Sequence, residues 1–217
     1  MSRKSMFEYK GKQATVTWDG KLCIHIGECG RAKGDLFVGG RKPWCDPDLS
    51  PNADVQEIVQ RCPSGALSVE FADGSVSEVA AATNSIQVSY KGPLFVTGDL
   101  AIEGAPTEVP GLKFRAALCR CGQSKNKPYC DNSHESAGFQ DYGAVGERGD
   151  AANDNGGTLQ INFAKDGPVL VNGNLCVKSA SGREAWHGKK AALCRCGASN
   201  NKPFCDGQHK KIGFKSD

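Results

Sequence analysis

CRCGQSKNKPYCDNSH at residues 119–134 returns 75 positions later as CRCGASNNKPFCDGQH at residues 194–209. Between Cys119 and Phe139, 13 of 21 positions match their counterparts, all the cysteines and the histidine among them, so the copies align without a gap. Each copy offers three soft thiolates and one imidazole at C-x-C-x8-C-x3-H spacing, a complete four-ligand set for a thiophilic metal centre. The candidate ligands are Cys119, Cys121, Cys130 and His134 in the first copy. In the second they are Cys194, Cys196, Cys205 and His209.

The repeat reaches well upstream of these loops, since Gly92-Pro93 and Gly167-Pro168 keep the same 75-residue offset. Each copy opens with an alternating stretch that predicts a strand, residues 86–90 and 159–163. A hairpin is predicted next: residues 93–96 and 100–102 around Thr97-Gly98-Asp99, and residues 168–171 and 175–177 around Asn172-Gly173-Asn174, because Asn-Gly between β-branched runs favours a tight turn. A polar loop and a short strand ending in Ala-Ala-Leu then lead into each metal loop. A unit this small buries its own sheet face poorly, so the two repeats are expected to pack on each other as a pseudo-dimer. The Gly/Asp/Asn-rich residues 141–157 read as the linker between them.

Residues 1–83 lie outside the repeat. Ser50 as N-cap, Pro51 at the first helical position and Val55, Ile58 and Val59 on one face predict a helix. Residues 15–18 predict a strand, and residues 70–84 a connecting tail. The expected architecture is a small α+β unit over residues 1–83, followed by mainly β repeats over residues 84–150 and 151–217.

The two loops resemble the CDGSH iron–sulfur domains of the NEET type, whose signature is C-x-C-x2-S-x3-P-x-C-D-G-S-H. The resemblance implies one [2Fe–2S] cluster per motif, with the Cys-x-Cys pair on one iron and the third Cys plus His on the other. Local chemistry agrees with it. Pro128 and Pro203 stiffen the chain before the third ligand. Asp131 and Asp206 read as N-caps of a short helix that carries the histidine. Ser124 and Ser199 are candidates to hydrogen-bond cluster sulfurs. Two positions depart from the signature, Asn132 for Gly and Gln208 for Ser, and neither is a ligand. The ligand set by itself also suits a structural zinc. Lys125, Lys127, Lys202, Lys210 and Lys211 would fit a zinc-based nucleic-acid module, but aromatics for base stacking are sparse around them.

Upstream, Cys23-Ile-His25-Ile26-Gly-Glu-Cys29, Lys-Pro-Trp44 and Cys62-Pro63-Ser-Gly-Ala-Leu resemble a divergent single-cluster ferredoxin domain over about residues 7–70. The resemblance implies a third cluster on Cys23, Cys29 and Cys62. Ile26 stands where such domains place a central Cys. Three thiolates suit a [3Fe–4S] cluster, or a [4Fe–4S] cluster with a non-Cys fourth ligand, for which Cys45 and His25 are candidates. Of the remaining residues, Cys176 reads as a small core residue and His187 as a loop histidine. Lys113, Arg115, Lys189 and Lys190 read as solvated charges.

A formal charge of +3 over 217 residues argues for no polyanionic partner. Eleven cysteines, an odd number, point to metal rather than disulfides. The N-terminus lacks an apolar leader core, and no run of 18 apolar residues occurs. The expectation is a cytoplasmic monomer that touches neither nucleic acid nor membrane. No nucleophile–base pair or phosphate loop is present, so the chain reads as an electron carrier serving a redox partner protein, not an enzyme. Cluster storage, transfer or sensing is the alternative, because a histidine ligand eases cluster release.

Overall fold

The computed structural model describes residues 5–150 and 156–216, which form two sheets with few helices. In the N-terminal unit, β1 (Met6–Lys10), β2 (Ala14–Asp19) and β3 (Leu67–Phe71) form an antiparallel sheet in that order. Helix α1 (Asn52–Gln60) buries Val55, Ile58 and Val59 among Val16, Leu67 and Val69 of that sheet. The helix starts one residue later than the sequence predicts. Pro51 is its N-cap, while Ser50 closes a preceding 3-10 turn, so no side chain caps α1. Three strands stand where one was predicted in this unit. β1 is mostly exposed and shows no alternation, and the short β3 takes up the start of the predicted tail.

The second sheet holds seven strands: β4 (Ser85–Val88), β5 (Leu94–Thr97), β6 (Leu100–Ile102), β7 (Arg115–Leu118), β8 (Leu159–Phe163), β9 (Val169–Lys178) and β10 (Glu184–Leu193). The predicted hairpins do not form. β9 runs straight through Asn172-Gly173, and β5 and β6 lie in line without pairing to each other. The first half of each line pairs with its own repeat: β5 with β4 and β7, and the start of β9 with β8 and β10. The second half crosses over. β6 pairs in parallel with β8, and the end of β9 pairs in parallel with β4.

The two glycines read as turn formers mark this change of partner. Gly98 and Gly173 have φ of +148° and +132°, and a Cβ would stand 2.1 Å from Asn84 Oδ1 at the first and 2.7 Å from the Thr158 carbonyl at the second. Glycine is needed there for close backbone approach, not for a turn. The Asn84 side chain fastens the crossing, donating to the carbonyls of Gly157 and Asn174 and accepting from the Asp99 N–H. A shared core of Ile86, Val96 and Leu118 with Ile161, Val171 and Leu193 lies beneath.

Of the predicted linker, residues 151–155 lie outside the described residues. Residues 141–150 are laid onto both repeats. Asp141 pairs with Arg120, Gly143 accepts from the Ala180 N–H, and Val145 is buried.

Arg115 is buried rather than solvated. Its guanidinium forms two hydrogen bonds with Glu78 and donates to the carbonyls of Val59, Cys62 and Leu67, locking the N-terminal unit onto the first repeat. Beside it Gly65 and Gly111 touch backbone to backbone. Lys190 holds the equivalent place in the second repeat and is exposed. Removing one partner of a buried, hydrogen-bonded ion pair typically costs about 3–5 kcal/mol. Arg115→Ala is therefore expected to lower stability by that amount and Lys190→Ala by less than about 0.5 kcal/mol. Urea unfolding followed through Trp18 and Trp44 checks the difference.

Candidate metal centres

Each metal loop is closed by its own strand. β7 delivers Cys119, whose N–H donates to the Pro128 carbonyl, while Cys130 N–H donates back to the Ala117 carbonyl. The second loop repeats this with Cys194 to Pro203 and Cys205 to Ala192. The third cysteine is thereby returned alongside the first. Helices α2 (Ser133–Ser136) and α3 (Gln208–Lys211) then carry His134 and His209.

The ligand atoms come in pairs. Cys119 and Cys121 sulfurs stand 3.7 Å apart, and Cys130 Sγ is 3.4 Å from His134 Nδ1. The second motif gives 3.8 Å for Cys194 and Cys196 and 3.3 Å for Cys205 and His209. Within neither motif do three ligand atoms close to within 4.8 Å of one another. A single tetrahedral ion draws all four ligand atoms together. Two pairs facing each other across a gap suit a binuclear centre, and the residues therefore fit a [2Fe–2S] cluster.

Electrostatics in the loops ease the ionisation of one thiol and hold others protonated. A hydrogen bond from the Cys121 thiol, helped by backbone N–H groups, pulls Cys119 down to about 6. Its partner Cys121 is raised, by that same shared hydrogen bond and by burial. Burial pushes Cys130 and Cys196 up to about 11. Metal binding must therefore displace protons from these thiols, and affinity falls as pH falls.

Ser124 and Ser199 are buried, but their hydroxyls donate to the Tyr129 and Phe204 carbonyls and accept from the Asn126 and Asn201 N–H groups. They brace the loops rather than reach for sulfur. Asp131 and Asp206 also differ from the expected N-caps. The N-cap residues are Asn132 and Gly207, both left-handed. Each aspartate instead accepts from the first N–H of its helix and from the N–H of Lys125 or Asn200, tying helix to loop.

Arg120 and Arg195, between the paired cysteines, were not singled out in the sequence. Their presence as the middle residue of both Cys-Arg-Cys steps was the available signal. Both are buried. Arg120 donates to the carbonyls of Gly92 and Ser89 and pairs with Asp141, and Gly92 in turn abuts the His134 ring. Arg195 donates to the carbonyls of Gly167 and Ala164. Through these carbonyls the two arginines tie each Cys-Arg-Cys step to the loop that opens its own repeat.

In the N-terminal unit, Cys23, Cys29 and Cys62 line one cavity of about 440 Å³ together with Trp18, Trp44 and His25. Again no three ligand atoms close to within 4.8 Å, so the cavity suits a cluster better than one ion. His25 takes a left-handed φ of 51°, and its Nδ1 lies 3.8 Å from Cys23 Sγ. Cys45 is fully buried in the core and does not line the cavity.

A family model described as a divergent 4Fe-4S mono-cluster matches residues 9–71. One described as an iron-binding zinc finger of CDGSH type matches residues 91–135 and 166–210. All eleven proposed ligands fall inside these spans. The chain carries two iron-binding domains of CDGSH type behind a divergent 4Fe-4S mono-cluster domain. Among curated proteins it is similar to the uncharacterized protein YjdI of Escherichia coli K12 and of Escherichia coli O157:H7, each 42% identical over 59 residues, covering 27% of this chain and 78% of the relative. No solved structure matches.

The two loops meet back to back. A Cβ on Gly122 would stand 2.6 Å from the Cys196 carbonyl oxygen, and one on Gly197 would stand 2.7 Å from that of Cys121. Gly122→Ala or Gly197→Ala is therefore expected to lower the iron content of both motifs at once. Gly207→Ala also meets a positive φ, but nothing lies within 4 Å of its Cβ, and it should disturb only its own motif. Iron and sulfide analysis of the purified variants checks this.

Proposed function

We propose that the chain is an electron carrier holding a [2Fe–2S] cluster in each repeat and a cubane-type cluster in its N-terminal unit. The observation that carries this reading is the two-by-two grouping of Cys119/Cys121 with Cys130/His134 and of Cys194/Cys196 with Cys205/His209. Bound clusters would supply one-electron redox chemistry. The N-terminal centre would be held by Cys23, Cys29 and Cys62. As a [3Fe–4S] cluster it needs no more; as a [4Fe–4S] cluster it would take His25, the candidate that lines the cavity, rather than Cys45.

Contacts between the sites support a path for electrons. The Asn132 amide donates to the Ile24 carbonyl, inside the Cys23–Cys29 loop, and Ile24 packs on Cys130 and Ala117. Asn126 donates to the Lys21 carbonyl in the same junction. From the first motif, the Gly122 and Gly197 contacts lead directly to the second. Reciprocal strand pairing of β6 with β8 and of β9 with β4 supports an internal pseudo-dimer of the two repeats. Eleven free cysteines suit a reducing cytoplasm, and no described helix is long and apolar enough to cross a membrane. A reductase or acceptor protein would exchange electrons with the chain.

Cluster transfer or sensing is the second reading. It is favoured by the half-buried positions of His134 and His209, which leave each histidine within reach of solvent while most of the cysteines are buried. Electron exchange with a reductase, set against delivery of iron and sulfide to an apo-ferredoxin, separates the two.

Three results test the assignment. Fully loaded protein should contain more than about four irons per chain, the number two [2Fe–2S] clusters supply; four or fewer would remove the N-terminal cluster. Zinc in place of iron would return the chain to the zinc class. His134→Cys and His209→Cys should each retain a cluster, with a lower potential and slower bleaching in acid, since thiolate adds negative charge and removes an imidazole that competes with protons. Unchanged acid bleaching in both variants would reject these histidines as ligands.

A further inference from the structure

We infer that Cys176, Glu184 and His187 form a separate site for a single thiophilic divalent cation, of which zinc is the natural probe. The site lies on β9 and β10, apart from all three cluster motifs. His187 stands directly across the ladder from Cys176, and Glu184 across from Lys178. His187 Nε2 is 4.0 Å from Cys176 Sγ and 3.8 Å from a Glu184 carboxylate oxygen. These three ligand atoms all lie within 4.8 Å of one another, which holds for no other His/Cys/Asp/Glu trio among the described residues.

The strand is bent to bring them together. Residues three apart on a regular strand point to opposite faces. Between Glu184 and Trp186 the register shifts by one residue, and this bulge turns Glu184 onto the face of His187. One carboxylate oxygen is then held by Lys178 at 3.5 Å, which leaves the other facing the imidazole. Cys176 is fully buried and His187 mostly so, while Glu184 opens the site to solvent. Nε2 is the ring nitrogen that faces Cys176 and Glu184, while Nδ1 is buried without a hydrogen-bond partner.

Three observations favour an ion over a plain polar contact. First, the chemistry is the mixed sulfur, nitrogen and oxygen set that zinc accepts. Second, ligand atoms on one tetrahedral zinc stand roughly 3.3–3.6 Å apart at its usual bond lengths. The 4.0 and 3.8 Å spacings to His187 exceed these by only about half an ångström, and the Cys176–Glu184 spacing lies within 4.8 Å. Third, the first repeat holds Ala101, Val109 and Leu112 at the three equivalent positions, 75 residues earlier. In the first repeat the stretch that matches the start of β10 is a 3-10 turn, Pro110–Lys113, and the three equivalent residues are apolar; the second repeat makes that stretch a strand and carries the three polar groups together.

Lys178 is a cation in contact with Glu184 at the site, and it would have to yield part of that contact. Zinc would displace the Cys176 proton, so binding weakens as pH falls.

The test uses the full chain with its clusters in place. Protein equilibrated with zinc and then desalted should retain one zinc per chain, with iron content and visible absorbance unchanged. X-ray absorption at the zinc edge should show one sulfur among nitrogen and oxygen ligands. Giving the site its first-repeat residues, Cys176→Ala, Glu184→Val and His187→Leu together, should abolish retention and leave the iron unchanged. Cys176→Ala alone, should the triple variant not fold, should weaken zinc binding at least about 100-fold. Zinc that appears only as iron is lost would place the ion in the cluster motifs and overturn the inference. So would zinc retained in the triple variant, zinc retained undiminished in Cys176→Ala, or no retention by the parent chain. None of these outcomes depends on whether the clusters carry electrons.

Discussion

Where the two metal loops meet there is room for backbone and for nothing else. Gly122 lies on the Cys196 carbonyl and Gly197 on that of Cys121, at distances alike to within a tenth of an ångström. The approach is reciprocal, each loop's glycine resting on the second cysteine of the other loop, so the two loops face each other there. Once they do, the second half of each long strand lies beside the other repeat's first strand, and its open edge is filled by the crossing pairs β6–β8 and β4–β9. The loop contact, the exchanged strands and the left-handed glycines at both junctions are parts of one arrangement. Backbone packed this closely moves little, which keeps the buried thiols in place whatever their protonation.

The symmetry stops at the N-terminal unit. It sits on the first repeat, and two of the residues that receive it differ from their counterparts in the second. Arg115 replaces an exposed lysine, and Asn132 replaces a glycine at a left-handed position. Asn tolerates that backbone better than other non-glycine residues, and its amide gains the Ile24 carbonyl as a partner. A departure from the family signature that looks like a minor loss in sequence is, in the fold, the attachment point of another domain.

What was legible in the sequence was what is local. The ligands of both loops, the strand at residues 159–163 and the buried face of α1 follow from spacing over a few residues. Asn172-Gly173 was misread because its signature belongs to two situations, a tight turn and a close crossing of strands, and only the partner strand distinguishes them. β1 escaped notice because an exposed edge strand needs no apolar alternation. Ser124 and Ser199 were assigned to the right loops but to the wrong acceptors, since the nearest carbonyl competes with sulfur for the hydroxyl. Arg115 and Cys176 with His187 depend on residues far away in the chain, and nothing in their neighbours announces them; Arg120 had only its place in a repeated Cys-Arg-Cys step as a signal.

The exchange of strands also has a meaning for concentration. Two separate chains that lent each other a strand would come apart on dilution. Here both lenders belong to one polypeptide, and that covalent connection makes their meeting unimolecular. The arrangement therefore survives at any scarcity of the protein. The same property carries a hazard: nothing in the interface tells the chain's own second repeat from a neighbour's, so the length of that connection decides whether one molecule closes on itself or links to the next.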